Sequence, residues 1–256
     1  MTAADQHYHN DPVLDRLPSA LVEGLQLSKH RRSDIGRGRS IIADGRPVTA
    51  VFLISEGYAV SKMSIDTGDT QILDILGPGS FAGLSQLDEI GSDFSAIALQ
   101  DAKAYRIDID TLQHVCAGDE ALSRWLAETL ARQTQRTQRH LTALGQLPAR
   151  GRLAFVMLRI LDVAQQMGET ALHKTIRLPM TQEEIGNMLG LTNVSISKLM
   201  SAFRKEGLID YGRNRIVVHD AEALSEICGM QLEEIVAMPT REASASAPAP
   251  SAQSAR

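Results

Sequence analysis

Cysteine is nearly absent, with two in 256 residues. Two thiols cannot build a disulfide framework, a four-thiolate zinc site or a four-cysteine iron–sulfur cluster. The expected compartment is therefore a reducing one. No apolar run approaches the roughly 18 residues of a bilayer span, and Met1 to Asn10 lacks the basic-then-apolar pattern of a secretory signal. These absences point to a cytoplasmic chain without a membrane partner. Histidine is missing from Ser40 to Ile109, a stretch that reads as strands, so the histidine pair and glutamate of a metal-dependent β-barrel enzyme are missing with it. His7-Tyr8-His9 has the spacing of such a pair but falls in the N-terminal region, outside the strands. No catalytic residue and no metal site are assigned.

Net positive charge is lacking too: 26 Lys and Arg stand against 31 Asp and Glu. The deficit is uneven along the chain. Residues 150–219 carry 10 basic and 6 acidic side chains, whereas residues 1–149 carry 14 and 19 and residues 220–256 carry 2 and 6. A positive block inside an acidic chain is the asymmetry expected where that block alone meets a polyanion. The bland alternative is a scatter of solvated charge.

What is present divides the chain into segments. Residues 239–256 are built from Ala, Ser and Pro, too little apolar bulk to offset ordering entropy, and read as a disordered tail. Residues 1–17 read as a flexible N-terminus. A domain over 18–118 opens with a helix near Pro18-Ser19 that runs through Leu21, Leu25 and Leu27. Short apolar runs follow from Ser40 to Ile109, separated by Asp44-Gly45, Glu56-Gly57, Thr67-Gly68-Asp69 and Gly77-Pro78-Gly79, and predict an antiparallel barrel or sandwich. Residues 119–147 change period. Ala127, Leu130, Thr134, Thr137, Leu141 and Leu144 recur at alternating steps of three and four, a heptad seam whose natural use is pairing with a copy of itself. The alternative is a helix lying on its own barrel. Pro148 breaks the helix.

Residues 148–230 hold the most specific pattern. Thr181 with Glu184 is a capping box opening a short helix with an inner face of Ile185, Met188 and Leu189. Gly190 stops it, and Thr192 caps a second helix whose apolar residues are Ile196, Leu199, Met200 and Phe203. Two helices around a glycine turn make a helix-turn-helix. Asn193, Val194, Ser195, Ser197 and Lys198 remain outside on the second helix, small or hydrogen-bonding side chains that suit base edges. Tyr211 to Arg215 reads as a wing hairpin whose Arg213 and Arg215 meet phosphate. The partner predicted is double-stranded DNA.

On these residues the chain resembles the cyclic-AMP receptor protein/fumarate–nitrate reductase regulator (CRP/FNR) superfamily. The resemblance runs from about Ser40 to Val218 and is carried by the Glu56-Gly57 hairpin, Leu76-Gly77-Pro78-Gly79-Ser80-Phe81-Ala82-Gly83, and Leu178-Pro179-Met180-Thr181 through Leu191-Thr192. It implies an α+β architecture: an N-terminal antiparallel β jelly roll, a long dimerisation helix and a C-terminal winged helix-turn-helix. The implied function is that of a homodimeric transcriptional regulator on a pseudo-palindromic operator, with RNA polymerase as a further partner of an activator. Thr181, Gln182 and Thr192 join the DNA-binding residues named above. The dimer seam is Leu130, Thr134, Thr137, Leu141 and Leu144.

The sequence departs from the family where an effector would bind. Members that hold cyclic AMP carry a glutamate directly after the glycine matching Gly83 and an Arg-Ser pair further on; here Leu84 and Phe94-Ser95 stand in those places. The expected effector pocket, Gly83, Leu84, Ser85, Phe94, Ser95 and Thr137, thus keeps only the threonine that meets adenine in such members. Leu84, Leu87 and Phe94 suggest an apolar pocket for an unknown small effector, or an empty one. No cofactor is predicted, although His7, His9, His30, His114 and His140 leave haem as an alternative. Cys116 offers a redox-responsive alternative, against the commoner role of a lone cysteine, and of Cys228, as a small buried hydrophobe. At the DNA surface, many relatives carry glutamate at the place of Val194 and arginine at that of Lys198.

Overall fold

The computed structural model describes residues 11–64, 66, 68, 70–87, 94–165, 174–176 (backbone only), 180–212 and 215–236. Its N-terminal part holds α1 (Ser19–Gly24), then β1 (Ser33–Ile35), β2 (Ser40–Ile42), β3 (Ala50–Glu56), β4 (Ala59–Ser64), β5 (Thr70–Leu76), β6 (Phe81–Ala82), β7 (Ser95–Ala98) and β8 (Ala102–Asp108). The helices α2 (Ile109–Ala117), α3 (Glu120–Gln146) and α4 (Ala149–Gln165) follow. The C-terminal part is β9 (Lys174–Ile176), α5 (Gln182–Leu189), α6 (Asn193–Lys205), β10 (Ile209–Gly212), β11 (Arg215–Val218), α7 (Ala221–Cys228) and α8 (Leu232–Ile235).

Two antiparallel four-stranded sheets, β1-β8-β3-β6 and β2-β7-β4-β5, enclose one core. Period-two alternation decides which side chains enter it. In β4, Ala59 turns into the barrel core while its neighbour Val60 turns outward. That outward face does not meet water. Val60, Ile72 and Ile75 join a second core with α4, α5 and α6, so the barrel and the C-terminal domain are continuous across the break at Pro148. Leu147 before that proline is extended, at ψ 143°, as its ring requires.

Helix α4 carries the junction. Every side chain from Leu153 to Ala164 is buried, including Arg159 at 5% exposure and Asp162 at 3%. A buried guanidinium is tolerable only when paired and hydrogen-bonded. Arg159 is fully engaged: Nε donates to Asp74 Oδ1 at 3.1 Å, Nη1 to Asp162 Oδ2 at 2.5 Å and Nη2 to the Ile75 carbonyl at 3.3 Å. His140 of α3 makes a second joint. Its Nδ1 faces the Leu73 carbonyl of β5 at 2.8 Å and its Nε2 the Met188 carbonyl of α5 at 3.1 Å, with the ring stacked on Phe155.

Two expectations for the N-terminus need correction. Residues 11–17 are packed rather than flexible: Val13 and Leu14 are buried, and the Asp11 carboxylate accepts from Tyr105 Oη at 3.0 Å and Arg32 Nη1 at 3.2 Å. The first helix ends at Gly24 instead of continuing through Leu27, because Gln26 takes a left-handed φ of 51° before a short 3-10 turn. Leu25 and Leu27 stay buried all the same.

Candidate DNA interface

The C-terminal domain is built to hold one helix outward. Thr181 Oγ1 accepts from the Glu184 N–H at 3.1 Å while Glu184 Oε2 accepts from the Thr181 N–H at 2.6 Å, the reciprocal capping box. Gly190 closes α5 in the left-handed region at φ 62°, and the Leu191 N–H returns to the Gly186 carbonyl at 3.0 Å. Gly186 lets the turn come this close, since a Cβ there would lie 2.7 Å from the Leu191 carbonyl oxygen. Thr192 Oγ1 then accepts from the Ser195 N–H at 3.3 Å and starts α6. Ile185, Met188 and Leu189 of α5 and Ile196, Met200 and Phe203 of α6 lie in the shared core.

The opposite face of α6 is open. Thr192, Asn193, Val194, Ser197 and Lys198 are exposed, Ser195 is half-buried, and Val194 is 64% exposed although large and apolar. The three capping hydroxyls are already occupied: Thr181 donates to Glu184, and Thr192 and Ser195 bond each other at 3.0 Å. That leaves Asn193, Val194, Ser197 and Lys198 as the uncommitted leading edge. Gln182 is half-buried at the start of α5.

Strands β10 and β11 pair antiparallel, with Gly212 opposite Arg215, and β9 adds a third strand. Arg213 lies outside the described residues. Arg215 is 52% exposed and shares Asp210 with Arg204, at 3.7 and 3.0 Å. Arg204 also lies over the Tyr211 ring at 5.6 Å. Arg204 carries no motif signal in the sequence, though its place seven residues after Ser197 puts it on the same face of α6. Behind that face Arg150 donates to Glu206 Oε1 at 2.9 Å; this bond holds the exposed carboxyl below the usual range and raises the guanidinium.

Along α3 the heptad positions divide. Thr134, Thr137 and Leu141 are exposed, Leu141 at 70%, whereas Leu144 is half-buried and Leu130 packs against the barrel core. Both threonine hydroxyls are satisfied inside the helix, donating to the Leu130 and Gln133 carbonyls at 3.0 and 3.2 Å. Their methyls can then line an apolar seam without leaving a buried hydroxyl unpaired.

The residues expected around an effector divide between the barrel core and the surface. Leu84, 2% exposed, and Phe94, 9%, belong to the barrel core. Ser85 and Thr137 are exposed, and Ser95 is buried on β7. None of the six residues, Gly83 included, lines the cavities of about 840, 410 and 190 Å³. Among the histidines, His140 has both ring nitrogens against carbonyls, leaving neither for an axial bond. Burial pushes both thiols up, most simply for Cys116, where Asp119 adds to it. A thiol so held is a poor nucleophile at neutral pH. No cluster of three metal-ligating side chains occurs among the described residues.

Comparison with known proteins matches residues 33–119 to the cyclic nucleotide-binding domain and residues 151–227 to the Crp-like helix-turn-helix domain. The transcriptional regulatory protein btr of Bordetella pertussis is 27% identical over 215 residues, covering 84% of this chain and 88% of that protein. A CRP-like cAMP-activated global transcriptional regulator of Mycobacterium tuberculosis is 29% identical over 196 residues, 75% of this chain and 85% of that one. In structure, FixK2 of Bradyrhizobium japonicum superposes with a TM-score of 0.69 at 22% identity, over 77% of this chain and 96% of that chain.

Proposed function

The chain belongs to the CRP/FNR superfamily of transcriptional regulators, and we propose that it acts as a homodimer that sets two copies of α6 in successive major grooves of a pseudo-palindromic operator. The observation that carries the proposal is the leading edge of α6. Asn193, Val194, Ser197 and Lys198 stand exposed on a helix whose other face is locked in the core, beside a basic wing. Hydrogen-bonding groups and one uncovered apolar side chain on a rigid support match base edges and thymine methyls. The exposed Leu141 supplies the seam for the second copy. Such a role places the protein with the chromosome in the cytoplasm, and with RNA polymerase if it activates.

Fluorescence anisotropy with a labelled duplex of random sequence tests the DNA half of this reading. Affinity should fall linearly on a log–log plot against salt, with a slope near −0.9 per phosphate neutralised. Absence of binding at low salt would contradict it. The chain's overall negative charge makes this a demanding test, because only the 150–219 block favours DNA.

The barrel half makes a separate prediction. Leu84 cannot accept from a ribose hydroxyl, Phe94 cannot neutralise a phosphate, and both are core residues. Calorimetry with cyclic AMP should show no binding heat at concentrations well above those that saturate ordinary members. A saturable isotherm would overturn this reading of the barrel.

A further inference from the structure

The groove of about 840 Å³ lies on the flank of α3 away from the dimer seam, distinct from the DNA surface and from the expected effector pocket. Its walls come from the packed N-terminal segment, the Pro78–Phe81 turn, α3, the end of α4 and α8. Four guanidiniums line it: Arg16, Arg132, Arg136 and Arg139. None of them donates a hydrogen bond to a carboxylate among the described residues. Arg132 bonds the Thr129 hydroxyl at 2.9 Å and lies 3.7 Å from Glu128.

Arg136 is the most telling of the four. Its Nε is buried with no hydrogen-bond partner among the described residues, and lies 3.7 Å from Asp74 Oδ2. Asp74 is already taken by Arg159, which also holds Asp162. Two guanidiniums thus meet at Asp74, and of the two it is Arg159 that hydrogen-bonds it. Desolvation lowers the pKa of Arg136, and the charge of Arg159 adds to the effect. A buried guanidinium N–H left without an acceptor is costly unless an anion completes it. Gln165, also in the lining, has its Oε1 buried with no donor among the described residues.

The rest of the lining is mixed: Ser80, Thr129, Gln133, Gln135 and Asp162, the last paired with Arg159, stand beside an apolar surface. Trp125 and Phe81 meet edge to face, with centroids 5.8 Å apart, and Leu17 and Ile235 flank them. Glu233 and Glu234 stand exposed at the edge and pair with none of the four arginines. The volume falls within the range of small-molecule pockets, about 300–1,000 Å³.

We propose that this groove binds a small organic anion with a flat apolar body. The anionic group meets Arg136 with Arg132 and Arg139, and the body rests on Trp125. Trp125 is the only tryptophan in the chain, so its emission reports occupancy directly. The test is a fluorescence titration of the full-length protein with phenyl phosphate, alongside phenol and inorganic phosphate at matched ionic strength. Phenyl phosphate should give a saturable change in emission below about 10 mM, weakened about tenfold or more by Arg136→Gln. The Arg132→Gln/Arg139→Gln variant leaves the Arg136–Asp74 contact in place, so it separates loss of binding from loss of folding; it should also weaken the response several-fold. Phenol and inorganic phosphate should each bind far more weakly. No saturable response, an equal response to phenol or to inorganic phosphate, or an unchanged affinity in the double variant overturns the proposal. The readout needs no DNA, so the outcome is independent of the reading of α6.

Discussion

A Leu141→Glu chain is expected to sediment as a monomer at micromolar concentrations where the parent is expected as a dimer, and to lose operator binding with it. Leu141 is 70% exposed, and only two other large hydrophobic side chains are open among the described residues, Met63 and Val194. Burying a leucine of this kind is worth about 1.5–3 kcal/mol, and a two-fold seam counts it twice. A glutamate there forfeits that gain and also buries two like charges near the axis. Thr134 and Thr137 are exposed on the same flank, with hydroxyls already bonded within the helix. Linking two half-site contacts contributes about 10²–10⁴ in overall affinity, so loss of the dimer should cost operator binding on that scale. Leu144 is the poorer target. It is half-buried in its own chain, so a charge there would confound folding with association. Sedimentation velocity with a parallel DNA titration decides the matter; a Leu141→Glu dimer with normal binding would remove α3 from the interface.

Lys198→Ala and Arg215→Ala should both weaken DNA binding, but in different ways. Lys198 is exposed on the outer face of α6 and makes no ion pair among the described residues. As a point charge with rotatable donors it suits guanine O6 or N7 without an arginine's planar fork. Its loss should cost about 1–3 kcal/mol at the preferred sequence and flatten discrimination at one base pair. Arg215 stands on the wing, held by Asp210, where the proposed pose sets it against the DNA backbone. Its loss should weaken all sequences alike and lower the salt slope by about one unit. Competition assays over single-base-pair operator variants at several salt concentrations separate the two. A uniform loss for Lys198→Ala would take it off the bases.

Legibility in the sequence followed the range of the interactions. The capping box of Thr181 and Glu184, the stop at Gly190 and the cap at Thr192 are bonds within a few residues, and each could be read before any coordinate. The outward set on α6 follows from helical period alone. Strands β1 and β6, three and two residues long, carry too little alternation to stand out. Asp11 to Leu17 read as loose because their order depends on Tyr105 and Arg32, 94 and 21 positions from Asp11. The burial of Arg159 depends likewise on Asp74, 85 residues away. His140 read as one of several haem-ligand alternatives, because nothing local shows that carbonyls of β5 and α5 close on its ring. The pocket residues were named from the positions they share with the family. Whether Leu84 and Phe94 line a space or fill it is a question of packing, which motif alignment does not answer.

That α6 reads bases with the edge that carries Val194 and Lys198 is decided by selecting bound duplexes from a random pool at one fixed salt concentration, with the parent protein and with Val194→Glu. Valine accepts no hydrogen bond but packs on a thymine methyl, whereas glutamate accepts from the cytosine amino group. The parent should enrich an inverted repeat with half-sites about one helical turn apart, favouring A·T at one symmetric position, and the variant should move that position alone to C·G. Identical selected sites from the two proteins, or no enrichment by the parent, would contradict the placement of α6 on the bases.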